Sequence, residues 1–230
     1  MVDELKQAAA RAAALLLQDG MIVGLGSGST ARMAVAAIGE RVQAGLKIVG
    51  IPTSELTANQ AKDLRIPLST LGEYPQADIT IDGADEVELG TLNLIKGGGG
   101  NQLREKIVAV ASSRLVIIVD ERKLVNRLGS RAKVPVEVAQ FGWQATSRHL
   151  EKLKAHPGLR LSPDGSPFVT DGGNYILDCA FEPFDPAALQ RDLDSVVGVV
   201  EHGLFIEMAS LVLVGASGGV RWLERSGRTA

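Results

Sequence analysis

The sequence predicts an α/β protein, a doubly wound and mostly parallel sheet with a small α+β unit inserted near its end. Short, continuous Val/Ile/Leu segments alternate with helical stretches between Met21 and Asp120, as strands covered on both faces do. Beyond Lys123 the order becomes strand, helix, strand, strand, helix, strand. One last apolar segment, SLVLVGA at 210–216, then reads as a buried strand returning to the first sheet.

The elements follow in order. The alanine-rich start, KQAAARAAALLLQDG, reads as a helix with Asp3 as its cap, acids in its first turn and Gly20 past its end. MIVGLG (21–26) is a buried strand, and GSGST turns the chain into a helix over 31–42. KIVGIP (47–52) precedes a helix at 54–63. ADITID (77–82) and LNLIKG (92–97) are further strands. A helix follows from Asn101 to Ala111, with Leu103, Ile107 and Val110 at the spacing of one apolar face. RLVIIVD (114–120) is the strongest strand of the chain. PVEV (135–138), a helix over 143–155, LRL (159–161), NYILDCAF (174–181), a helix over 186–193 and VVEHGLFI (199–206) complete a βαββαβ order, which is ferredoxin-like. The expected units are a Rossmann-like one, 1–126 plus 207–230, and a small α+β one, 127–206.

Composition removes several classes. The chain has 230 residues, a net charge of −3 and scattered Lys and Arg, which argues against a nucleic-acid surface. Cys179 is the one cysteine, so neither an intramolecular disulfide nor a cysteine-built metal site can form, and a reducing, cytoplasmic setting is expected. His149, His156 and His202 lack ligand spacing. No apolar run approaches the roughly 18 residues of a membrane span. The start lacks the leading positive charge of a signal peptide.

Four segments carry chemistry. GLGSGST (24–30) matches neither a dinucleotide fingerprint nor a P-loop. Its glycines, its hydroxyls and the helix that follows make a cradle for phosphate or a sugar oxygen, or equally a capped βα turn. Asp82 and Asp85 follow a strand at its carboxyl end, where open α/β sheets bind ligands. Two nearby acids raise at least one pKa, giving a proton donor and an acceptor. The bland alternative is an Asp-Gly turn. A carboxylate metal pair ranks lower. Lys96, Gly97–Gly100 and Glu105 form the third segment. The lysine can neutralise an enediolate, the glycines admit close approach to the backbone, and a first-turn glutamate is a ready base because the helix dipole favours its carboxylate. A lone helical glutamate is more often a surface partner of a basic neighbour, yet four glycines have no structural use of that extent. Lys123 closes the fourth segment, DERK, as a substrate ligand or part of a solvated cluster.

Together the segments resemble the ribose-5-phosphate isomerase type A family. The match runs through GLGSGST, IPTS (51–54), DGADEVE (82–88), KGGGGNQLREKIVA (96–109), VDERK (119–123), PVEV and VVEHGLF (199–205). The resemblance implies interconversion of D-ribose 5-phosphate and D-ribulose 5-phosphate through an enediol(ate), a step of the non-oxidative pentose phosphate pathway, with no cofactor and no metal. It makes Glu105 the base. Asp82, Asp85 and Lys96 assist ring opening, proton transfer and oxyanion stabilisation. Ser27, Gly28, Ser29, Thr30, Gly83, Ala84, Gly97, Gly98, Gly99 and Lys123 line the substrate. The implied partners are a small sugar phosphate and further copies of the chain, as a homodimer or homotetramer, with no nucleic acid and no membrane. Ser27 stands where the family commonly has threonine. Asn101 and Gln102 replace small residues, and TDGGN (170–174) replaces TDNGN. A sugar-phosphate-sensing regulator should carry a DNA-binding motif before the first strand. A nucleotide- or CoA-handling enzyme should carry an acid where IPTS stands. Both rivals are weaker.

Overall fold

The computed structural model describes residues 2–225. Helix α1 (Val2–Ala14), strand β1 (Ile22–Leu25), helix α2 (Ser29–Gln43), strand β2 (Val49–Pro52), helix α3 (Glu55–Asp63) and strand β3 (Ile79–Asp82) open the chain. Two short strands, β4 (Glu86–Glu88) and β5 (Leu94–Ile95), lead to helix α4 (Gln102–Val110) and strand β6 (Leu115–Asp120). A single helical turn at Glu121–Lys123 precedes β7 (Leu124–Val125). Then come β8 (Val134–Val138), α5 (Trp143–Lys152), β9 (Ala155–Leu159), β10 (Tyr175–Phe181), α6 (Pro186–Asp194), β11 (Val199–His202) and β12 (Leu204–Phe205). Strands β13 (Leu211–Ala216) and β14 (Gly219–Glu224) close the described chain. Asp3 lies inside the first turn of α1 rather than capping it.

The main sheet has the order β14-β13-β6-β3-β1-β2. Every pairing in it is parallel except β13 with β14, so SLVLVGA does return to the first sheet, beside β6. Its strands are apolar on both faces, and their alternate residues feed two cores. Val116, Ile118, Leu211 and Leu213 pack with the alanines of α1 and with Val35 and Ile38 of α2. Leu115, Ile117, Val119, Val212 and Val214 pack with Val87, Leu94 and Phe205 on the other face. Alanine dominates α1 because it lies close against β13: a Cβ on Gly215 would stand 1.9 Å from the Leu5 carbonyl oxygen.

A second, antiparallel sheet has the order β11-β8-β10-β9, the ferredoxin-like arrangement. Its own core is built by Val134, Val136, Val138, Leu150, Leu177, Leu189 and Leu193. A third sheet, β12-β5-β4-β7, joins the two. The segments read as one strand each at 92–97 and 199–206 depart from expectation here. Only Leu94–Ile95 is paired from the first, and it joins this small sheet rather than the main one. The second splits at Gly203 into β11 and β12, which belong to different sheets. Gly203 accepts the Lys96 N–H at 2.9 Å, and a Cβ there would lie 2.2 Å from the Lys96 carbonyl oxygen, so no side chain fits. Thus β12, drawn from the expected small unit, is stitched to strands of the large one. The division into 1–126 plus 207–230 and 127–206 stays a proposal, and both outer limits lie outside the described residues.

The acids of DGADEVE separate into two uses. The buried Glu86 carboxylate accepts the N–H groups of Gly129, Arg131 and Ala132 at 2.7, 2.6 and 2.7 Å, which ties that loop to β4. Glu88 likewise accepts the Thr91 hydroxyl at 2.6 Å and the Leu128 N–H at 3.4 Å, which leaves Asp82 and Asp85 for the site.

Candidate active site

Strands β1 and β3 are neighbours from which the sheet order runs outward in opposite directions, the position at which doubly wound sheets open a crevice. Their carboxyl ends approach so closely that a Cβ on Gly26 would stand 2.3 Å from Asp82 Oδ1 and 2.6 Å from its Cα. Glycine at 26 is therefore a steric necessity. Past it, Ser27 and Gly83 donate their N–H groups to Asp82 Oδ1 at 3.1 and 2.7 Å, fixing a carboxylate with no exposed surface.

Lys96 enters from β5. Its Nζ donates to the Gly83 carbonyl at 2.7 Å and lies 2.9 Å from Asp82 Oδ2 and 3.0 Å from Glu105 Oε2. All three side chains are buried. One ammonium thus faces two carboxylates. Burial alone would lower the lysine pKa, but Asp82 and Glu105 outweigh it and hold Lys96 above its ordinary range. Burial raises the Asp82 carboxyl. Burial, reinforced by the Asp82 charge, pushes Glu105 up to about 8. The sequence suggested a Glu105 held as carboxylate by its helix dipole and an interacting Asp82–Asp85 pair. The like-charge neighbours are instead Asp82 and Glu105, and desolvation overrides the dipole. Asp85 makes no ion pair with Lys96 but adds a smaller contribution to the rise at Glu105, and it accepts the Gly98 N–H at 2.7 Å.

Above the buried group lies a cleft of about 80 Å³, lined by Ser27, Gly28, Ser29, Thr30, Gly83, Ala84, Asp85, Lys96, Gly97, Gly98, Gly99, Glu105 and Lys123. Every residue to which the resemblance gives a role lines it except Asp82, which lies beneath Lys96; Gly100 of the glycine run packs against Phe168 instead. The start of α2 at Gly28 carries no side-chain cap, so the N–H groups of its first turn are available at the cleft wall. Ser27 contributes less than its type suggests. Its hydroxyl is engaged with Thr53, Ser54 and Thr57 at 2.7, 2.9 and 3.2 Å, a buried cluster that anchors the loop to α3.

Two contributors were not legible. Lys6 of α1 donates to Ser29 Oγ at 3.2 Å and brings an ammonium to the cradle, yet nothing distinguishes it in sequence from other helical lysines. In the sequence Gln102 stands out only as a departure from the family's small residue. It is fully buried beneath the glycine loop, and a Cβ on Gly97 would lie 2.8 Å from its Oε1. Neither polar atom of its amide has a hydrogen-bond partner among the described residues.

The comparisons with known proteins identify the family. The family model for ribose 5-phosphate isomerase A (phosphoriboisomerase A) matches residues 49–219. The chain belongs to this family. A ribose-5-phosphate isomerase A from Gloeobacter violaceus is 59% identical over 226 residues, covering 98% of each chain. The solved ribose 5-phosphate isomerase A of Methanocaldococcus jannaschii superposes with a TM-score of 0.94 at 41% identity, covering 97% of this chain and 99% of that one. A D-ribose-5-phosphate isomerase in complex with phospho-erythronic acid superposes with a TM-score of 0.95 at 38% identity, covering 98% and 100%.

Proposed function

We propose that the chain interconverts D-ribose 5-phosphate and D-ribulose 5-phosphate, with Glu105 moving a proton between C2 and C1 through an enediol(ate). The observation that carries this is the Lys96 ammonium, held 2.9 and 3.0 Å from two buried carboxylates at the floor of the cleft. A proton α to a carbonyl is weakly acidic, so a carboxylate removes it only where the developing oxyanion is met by a preorganised donor. Lys96 is that donor, already desolvated and oriented by Asp82 and the Gly83 carbonyl. Glu105 lies on the other side of the same ammonium, so substrate oxygen and base share one cation. Asp85 reaches the cleft from a different direction and serves ring opening and transfer of the hydroxyl proton. The glycine loop 97–99, with its Gly98 N–H turned to Asp85, and the walls at Gly83 and Ala84 shape the sugar site. The 5-phosphate is held by the first turn of α2 with Ser29 and Thr30, and by the ammonium groups of Lys6 and Lys123.

The reaction rearranges hydrogen within one molecule, so it is redox-neutral and requires no electron or hydride carrier. Phospho-erythronic acid, the ligand of the related structure, carries a planar carboxylate resembling an enediolate, and a phosphate. We take the same compound to bind this cleft. No helix among the described residues is long and apolar enough to cross a membrane. The wider proposal is a cytoplasmic enzyme acting on a small sugar phosphate as a homodimer or homotetramer, without nucleic acid or membrane. The test is turnover of ribose 5-phosphate in EDTA, with phospho-erythronic acid as competitor. Conversion to ribulose 5-phosphate that the acid inhibits competitively supports the reading, and no conversion overturns it. Light scattering at the mass of a single chain would contradict the assembly.

A further inference from the structure

We propose that Arg160, clamped by Asp178, is a positioning residue for this reaction, fixing the peptide planes of the glycine loop and through them the Asp85 carboxylate. The proposal rests on the reading of the site given above. Arg160 lies outside every motif that led to that site. It follows β9, at the base of the SPDGSP turn, where Leu161 bridges Pro167 and the Phe168 N–H donates to the Arg160 carbonyl at 2.9 Å. Arg160 and Phe168 therefore face the glycine loop from the two arms of one turn.

The guanidinium is used on two sides. Its Nε donates to Asp178 Oδ2 at 2.9 Å and its Nη2 to Asp178 Oδ1, a fork-to-fork pair that sets the plane. Its Nη1 donates to the Gly97 carbonyl at 3.0 Å and the Gly98 carbonyl at 3.2 Å. The Phe168 ring lies 5.9 Å from the guanidinium carbon and closes against Gly100, where a Cβ would stand 2.5 Å from the ring.

A trans peptide is a rigid plane in which C=O and N–H point in opposite directions. Holding the Gly97 carbonyl therefore aims the Gly98 N–H, and that N–H is the one donating to Asp85 Oδ2 at 2.7 Å. Holding the Gly98 carbonyl aims the Gly99 N–H in the same way. Glycine needs such a restraint more than any other residue, because its backbone has the widest freedom. Asp178, Arg160, the 97–98 peptide and Asp85 form one continuous chain of charge-assisted bonds. Lysine cannot replace the guanidinium, since a point charge lacks the fork that joins a carboxylate to two carbonyls.

The test uses Arg160→Ala and Arg160→Lys in the full chain, with Glu105→Gln alongside. A misplacement of about 1 Å costs on the order of 10²-fold in rate, so kcat should fall by about that factor in Arg160→Ala while KM moves by less than about threefold. Guanidinium ion at millimolar concentration should restore at least about tenfold of the Arg160→Ala loss, and Arg160→Lys should not recover the rate. The Gly98 amide should exchange faster in both variants, a readout that distant packing does not move. Wild-type kcat in either folded variant overturns the proposal, as does a loss confined to KM. If Arg160→Ala does not fold, Arg160→Lys decides by the same criteria. Loss of turnover in Glu105→Gln with full kcat in Arg160→Lys fails the clamp alone. Full turnover in Glu105→Gln fails the site reading, and the clamp with it.

Discussion

One buried ammonium between two carboxylates leaves Lys96, Asp82 and Glu105 with an excess negative charge when all are ionised, and burial makes that state costly. The group relieves it by holding a proton on a carboxyl, and Glu105, pushed up to about 8, is the natural place. A base must be deprotonated to work, so kcat/KM should rise about tenfold per pH unit below that value and flatten above it. A profile flat from pH 6 to 9 would contradict the assignment. Stability should run the opposite way. The folded pKa of Glu105 lies above its ordinary 4.5, so the folded state holds more protons between 4.5 and about 8, and stability falls as pH rises through that window. Glu105→Gln should flatten the fall in Tm across that pH window. Gln102 makes a separate case. An amide buried without partners costs about 1–3 kcal/mol, so Gln102→Leu should raise the urea midpoint at unchanged slope. A lowered midpoint would show that the amide is satisfied in solution. The identities of the chemical groups were legible because the motif places an acid, a lysine and a glutamate where no core needs them. Their coupling was not. It depends on which two carboxylates reach one ammonium, a fact of three dimensions.

The elements that hold these groups are fixed by backbone approach. Gly26→Ala would drive a methyl into Asp82 and the end of β3. We expect a loss of about 1–3 kcal/mol, the usual cost of overpacking, together with a loss of kcat because Asp82 supports Lys96. Gly218→Ala, at an open position with no left-handed backbone, should leave kcat unchanged. Equal effects on kcat would refute the close approach. Helix α4 shows why sequence reading stumbled. Leu103, Ile107 and Val110 have the spacing of an apolar face, yet Ile107 and Val110 are 50% and 73% exposed, while Gln102, Glu105, Val108 and Ala109 are buried. A helix that delivers a catalytic group turns polar residues inward, so its hydrophobic period points the wrong way at the site. The segment at 92–97 failed for another reason. Two residues of pairing suffice to place Lys96, and local periodicity says nothing about which sheet receives them.

At the scale of the whole molecule, the cleft opens where β1 and β3 part, the third sheet brings in Lys96, and the antiparallel unit reaches back with Arg160. The doubly wound core was legible because continuous apolar strands and alternating helices are local signals. Lys6 and Arg160 were not, since each acts across a long stretch of sequence through one or two bonds that no local pattern announces. In the proposed mechanism these parts converge on one event, the transfer of a proton from C2 to C1 by Glu105. The measurement that tests it most directly is proton NMR of ribose 5-phosphate in D₂O with EDTA, comparing the native chain with Glu105→Gln. The account predicts ribulose 5-phosphate carrying deuterium at C1 from the native chain, and turnover reduced by about 10²–10⁴ in the variant. Conversion by Glu105→Gln at more than about a tenth of the native rate would contradict it.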